Sequence, residues 1–191
     1  MTSLRILHLV ALACIVAMAA RAHAETPTWT APDGRTAAQL IADHILPDPE
    51  VTPGAPNPAV TEMTLATTVC SKEKDAHGFT WIHRQRPPDS YTDALKLQDL
   101  GPGMKPTDCE EDHLVSIEDG GDPRDRKNLW CMAYDDLYGA RVKDVLETRL
   151  SRSLCAGEIT LEQARDALSP NWMAGYETYF GLLPTGRVDG H

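Results

Sequence analysis

The sequence predicts an α+β fold, and three observations carry that prediction. A short apolar piece, Leu114-Val115-Ser116-Ile117, runs into the turn signal Asp119-Gly120-Gly121-Asp122-Pro123 and a second apolar piece, Asn128-Leu129-Trp130, which is how a hairpin is written in sequence. Soon afterwards Val142, Leu146, Leu150 and Leu154 recur every four residues among Arg and Lys, the period of an amphipathic helix. A share of 42% hydrophobic against 24% charged residues in 191 supplies one core and excludes wholesale disorder.

The elements follow in chain order. Arg5 ahead of the apolar run Ile6 to Ala20, closed by Ala22-His23-Ala24, reads as an export signal cleaved near Ala24. The run is shorter than the ~20 residues a membrane anchor needs, so no stable membrane association is expected and the chain is placed in the periplasm or outside the cell. Glu25 to Val60 carries half of the 14 prolines and reads as an extended, Pro-rich N-terminal arm, with one short helix over Thr36 to Ile45. The folded domain is expected over residues 61–172. In it Leu65 to Cys70 and Phe79 to His83 read as short strands, and Thr92 to Leu100 as a helix stopped by Gly101-Pro102-Gly103. Thr160-Leu161-Glu162-Gln163 opens a last helix through about Leu168, and residues 173–191 read as a tail.

Setting Cys14 of the export signal aside leaves Cys70, Cys109, Cys131 and Cys155, an even number in an oxidising compartment. Two disulfides are expected, with three pairings open. No Cys-x-x-Cys knuckle favours zinc.

Seven acidic residues, with no basic one among them, fall between Asp108 and Asp122. Such density marks a solvated face or a cation site. Within it Asp112-His113 sits on the first strand of the hairpin, and Asn128 lies across the Gly-Gly turn. A base beside a carboxylate on a rigid hairpin is what hydrolysis of a phosphodiester needs: one group deprotonates water, and a held cation stabilises the leaving oxygen. Adjacent strand residues point to opposite faces, so Asp112 and His113 serve one site only where the strand ends or bends.

On Asp112-His113-Leu114-Val115, Gly120-Gly121 and Asn128-Leu129-Trp130 the chain resembles the HNH (ββα-metal) nucleases, and more closely a group of exported bacterial HNH-like proteins. The latter likeness runs from Thr52 to Trp172 through Asn57-Pro58-Ala59-Val60-Thr61, Arg86-Pro87-Pro88, Ser90-Tyr91-Thr92, Lys143-Asp144 and Leu154-Cys155. The resemblance implies a small ββα-metal core with flanking helices. It makes His113 the general base, Asp112 a metal ligand and Asn128 the side chain that pins the loop around His113. It expects a further ligand at the start of the helix, where this chain has Ala140; Asp136 and Asp144 are the nearest substitutes, and Asp144 is preferred. The implied cofactor is a divalent ion, Mg2+ ahead of Mn2+ or Zn2+, and the implied substrate is DNA or RNA. If the hairpin strands pair so that Asn128 comes beside His113, Cys109 and Cys131 reach the same end, and Cys70 and Cys155 join as they recur together in the resemblance.

A formal charge of −10 permits only weak, salt-sensitive, sequence-independent nucleic-acid binding. From Arg124 to Arg152 basic residues outnumber acidic ones, with Lys143, Arg149 and Arg152 expected on a solvated helix face and Glu118 and Asp119 in a solvated turn. The rival function is a non-catalytic exported module that keeps the frame to bind a protein or cell-envelope partner.

Overall fold

The computed structural model describes residues 29–186. The export signal and Cys14 lie outside the described residues. Those residues form an α+β fold with six α-helices and one two-stranded antiparallel sheet. The helices are α1 (Ala37–Ala42), α2 (Trp81–Gln85), α3 (Asp89–Asp99), α4 (Ala140–Cys155), α5 (Leu161–Leu168) and α6 (Trp172–Phe180), and the strands are β1 (Cys109–His113) and β2 (Leu129–Ala133). No helix among the described residues is long and apolar enough to cross a membrane.

Local chemistry sets the helix starts. Thr36 and Thr160 each accept a hydrogen bond from the backbone N–H three residues on, while Gln39 and Gln163 reach back, so α1 and α5 both open on capping boxes. Asn171 caps α6 through the backbone N–H groups of Met173 and Ala174. Helix α4 turns Leu146, Leu150 and Leu154 inward, onto α5 and α6. One core collects Leu40, Ile45 and Val60 from the Pro-rich segment, Leu114 and Met132 from the hairpin region, and Trp172 and Met173 from α6.

In four places the structure departs from the sequence reading. The segment over Leu65 to Cys70 is a single 3-10 turn rather than a strand. Phe79 to His83 is also not a strand: Thr80 caps the backbone N–H of His83, which starts α2, and Phe79 stacks on the His83 ring. The first hairpin strand is Cys109–His113, and the apolar Leu114 to Ile117 stretch is loop and 3-10 turn. Those residues are apolar because they are buried, and the backbone groups of Val115 that a strand partner would take are taken by the Asn128 side chain. Regular structure also continues past Leu168 into α6, whose Trp172 is fully buried and donates from Nε1 to the Ile45 carbonyl at 3.0 Å.

Two disulfides staple the fold, Cys70–Cys155 and Cys109–Cys131, with Cα separations of 5.3 and 5.5 Å. The first ties the loop before α2 to the last residue of α4. The second is a diagonal bridge across the hairpin, since Cys109 pairs with Ala133 and Cys131 with Glu111.

Candidate functional site

The site is the end of β1. In the antiparallel register Glu110 faces Met132, Asp112 faces Trp130 and His113 faces Leu129. Glu110 and Asp112 therefore share the face turned to α4, while Cys109 and Glu111 share the other. His113 belongs by alternation to the second face, but the strand stops there, and Asp112 and His113 line one cleft of about 690 Å³. Asp144, Glu147 and Thr148 of α4 form one wall, and His83, Arg86 and Pro87 another.

The loop that closes the hairpin is held from inside. Asn128 is completely buried, accepts at Oδ1 from the Val115 N–H at 2.9 Å and the Ala55 N–H at 3.4 Å, and donates from Nδ2 to the carbonyls of Val115 and Asp122, each at 2.9 Å. Gly121 must be glycine, because a Cβ there would collide with the Val115 carbonyl. Gly120 adopts φ +79°, which favours glycine.

His113 has a defined tautomer. Its Nε2 lies 3.0 Å from the Pro123 carbonyl, which can only accept, so Nε2 carries the proton and Nδ1 keeps the lone pair. Burial holds the imidazole below its ordinary value; the Pro123 bond and the Asp112 charge oppose this, and Lys143 and Arg86 add to it. The ring is therefore neutral at pH 7.

Behind Asp112 stands Lys143, which is fully buried rather than on the solvated face the helix pattern implies. Its Nζ donates to the His113 carbonyl at 2.6 Å, pairs with Asp112 Oδ2 at 2.9 Å and with Glu147 Oε1, and lies 5.4 Å from the centre of the Trp130 ring. Burial alone would lower its pKa, but Asp112 and Glu147 outweigh burial and raise it, so it stays charged. Asp112 Oδ1 accepts from the His113 N–H at 2.7 Å. One ammonium thus fixes the carboxylate and the strand end that presents the histidine.

The remaining carboxylates crowd one another. Burial, then the charges of Asp112 and Asp144, push Glu110 up to about 7 against a hydrogen bond from Tyr134. Burial and then Asp112 raise Asp144, which sits at the cleft mouth. Glu147 is raised by burial against the pull of Lys143. On the opposite face Glu111, pushed up to about 8 by burial and by Asp99, shares Arg126 with Asp99 and ties α3 to the hairpin.

Asp112, His113 and Asp144 thus meet at the cleft, and Asn128 lies beneath the loop beside it. Asp136 does not join them; it binds Arg35 at 2.7 Å, away from the cleft. Ala140 is buried at the start of α4 and carries no donor. Asp119 is buried rather than solvated, with Oδ2 on the Ser116 hydroxyl. Sequence reasoning missed Glu110, Lys143, Glu147, His83 and Arg86 at the site; the alternation of Glu110 with Asp112 was the one signal available for the first. Among the described residues no three of His, Cys, Asp and Glu are set to hold a metal ion. No protein-family model, curated protein or solved structure matches the chain.

Proposed function

We propose that the chain is an exported, disulfide-bonded phosphodiesterase of the HNH type, built on a ββα unit of β1, β2 and α4, that hydrolyses DNA or RNA with little sequence preference and with a divalent ion. The observation that carries this reading is His113, a neutral imidazole that lines the cleft with its Nε2 proton committed to Pro123, so that Nδ1 is its basic nitrogen. A base of this kind takes a proton from water at Nδ1 as the oxygen attacks phosphorus.

The donor set suits an ion of the Mg2+ type, which keeps much of its water and takes one or two carboxylates together with substrate phosphate. Asp112 and Asp144 would hold it, and the charge with which Asp112 raises Asp144 is what a cation relieves. When bound, the ion supplies Lewis-acid stabilisation of the leaving oxygen. Lys143 keeps Asp112 turned toward the cleft, and Asn128 holds the loop that carries the Pro123 carbonyl. The two disulfides fit an oxidising compartment.

The test is cleavage of plasmid DNA and of RNA by the oxidised protein with Mg2+, Mn2+, Zn2+ or EDTA. Cleavage that needs a divalent ion and is lost in His113→Ala is the expected result. A second reading, a binding module without turnover, is favoured by Ala140 and the acidic lining. Inert protein under every metal condition would reject the enzyme and leave that module.

A further inference from the structure

The cleft has one feature that the base and the carboxylates do not use. Among the described residues that line it, Arg86 is the only one with a permanent positive charge. It sits at the C-terminus of α2, immediately before Pro87-Pro88 and α3, so both neighbouring backbones are stiff. Its side chain is 56% exposed, and its ion pair among the described residues is a loose one, Nη2 to Glu118 Oε1 at 3.5 Å. The cleft is therefore mixed in charge, with one guanidinium, paired to Glu118, among carboxylates from β1 and α4.

We propose that Arg86 is the phosphate-binding residue of this cleft, its guanidinium donating to the non-bridging oxygens of a phosphoryl group. This deepens the phosphodiesterase reading and rests on it for the reaction, though not for the binding. A guanidinium presents paired N–H donors in a plane that matches two phosphate oxygens, which a point charge cannot do. Glu118 is the stand-in partner that holds Arg86 when no anion is present and competes with one that arrives. The arrangement also answers the acidity of the chain: a diester entering a cleft lined by carboxylates needs a cationic contact, and Arg86 supplies it.

The two members of the pair give opposite signs, which a merely structural salt bridge would not. Binding of inorganic phosphate in the presence of Mg2+ is measured by calorimetry on the full oxidised chain. The wild type should bind saturably, Arg86→Gln about tenfold or more weaker, Arg86→Lys in between, and Glu118→Gln severalfold tighter. Both residues are substantially exposed, so neither variant threatens the fold. No saturable binding by the wild type, equal affinity in Arg86→Gln, or weakening in Glu118→Gln would each overturn the proposal. Phosphate binding that depends on Arg86 in a protein that cleaves no diester would leave the subsite standing and reject the phosphodiesterase.

Discussion

His113 and Asn128 divide one task between a side chain that faces the cleft and one that faces inward. Replacing His113 by Ala removes the lone pair and one hydrogen bond to Pro123, so cleavage should fall about 10²–10⁴-fold with the circular dichroism unchanged. Burial holds the imidazole below its ordinary value, and the acid limb of kcat/KM should accordingly lie below pH 6.5; a limb above that pH would mean that another group is the base. Asn128→Ala strands four backbone partners at residues 55, 115 and 122, three of them in buried bonds. Urea denaturation should show a loss of about 3 kcal/mol, from several unsatisfied groups at once. Asp112, His113 and Asn128 were legible because each is a local pattern, a carboxylate next to a base and an Asn after a Gly-Gly turn. Lys143 was not, because a lysine on an amphipathic helix looks solvated until the tertiary fold lays Asp112, Glu147 and the His113 carbonyl over it.

At the scale of elements, the helices with capping boxes and the four-residue leucine period were readable because those signals are local in the chain. So was the return strand, read from Asn128-Leu129-Trp130 and found at Leu129–Ala133, but the first strand was not. Leu114 to Ile117 is apolar for burial while Cys109–His113 is mostly charged, so hydrophobicity pointed one segment too late. What identifies β1 is pairing with β2, and the diagonal disulfide Cys109–Cys131 locks that pairing. The two bridges close loops of different size, 22 and 85 residues apart in sequence. In the chain-entropy model the double variant Cys109→Ala/Cys131→Ala loses about 3 kcal/mol and Cys70→Ala/Cys155→Ala about 4–5 kcal/mol. Denaturation of the two variants should rank them in that order, and activity should suffer more per unit of lost stability in the first, because its bridge crosses the strands that present Asp112 and His113. Equal activity in both at matched stability would show that the hairpin holds its register without the bridge.

For the whole molecule the acidic balance becomes a pH dependence of stability whose sign can be worked out. Glu110 and Asp119 are pushed up to about 7 and Glu111 up to about 8, each first by burial. A carboxyl group whose folded pKa is raised favours the fold in its protonated form. Its contribution is fully present below its unfolded value, near 4, falls as pH rises from there, and is gone once pH passes the folded value of about 7 to 8. His113 acts in the opposite direction: its pKa is lowered, so its contribution is lost as pH falls below 6.5. With Asp144 and Glu147 raised in the same direction, the acids outweigh the one histidine and place maximal stability in the weakly acidic range, with a decline toward pH 8. Asp119 offers the cleanest test. It is fully buried, its Oδ1 has no partner among the described residues, and it lies outside the cleft. Asp119→Asn keeps an acceptor for the Ser116 hydroxyl and removes the charge that must otherwise be buried at high pH. Thermal melts from pH 4 to pH 8.5 should therefore show the variant gaining on the wild type as pH rises from about 4 to 7, with the difference levelling off above that. A wild type that gains stability over the variant as pH rises would show that Asp119 is ionised and compensated in the fold.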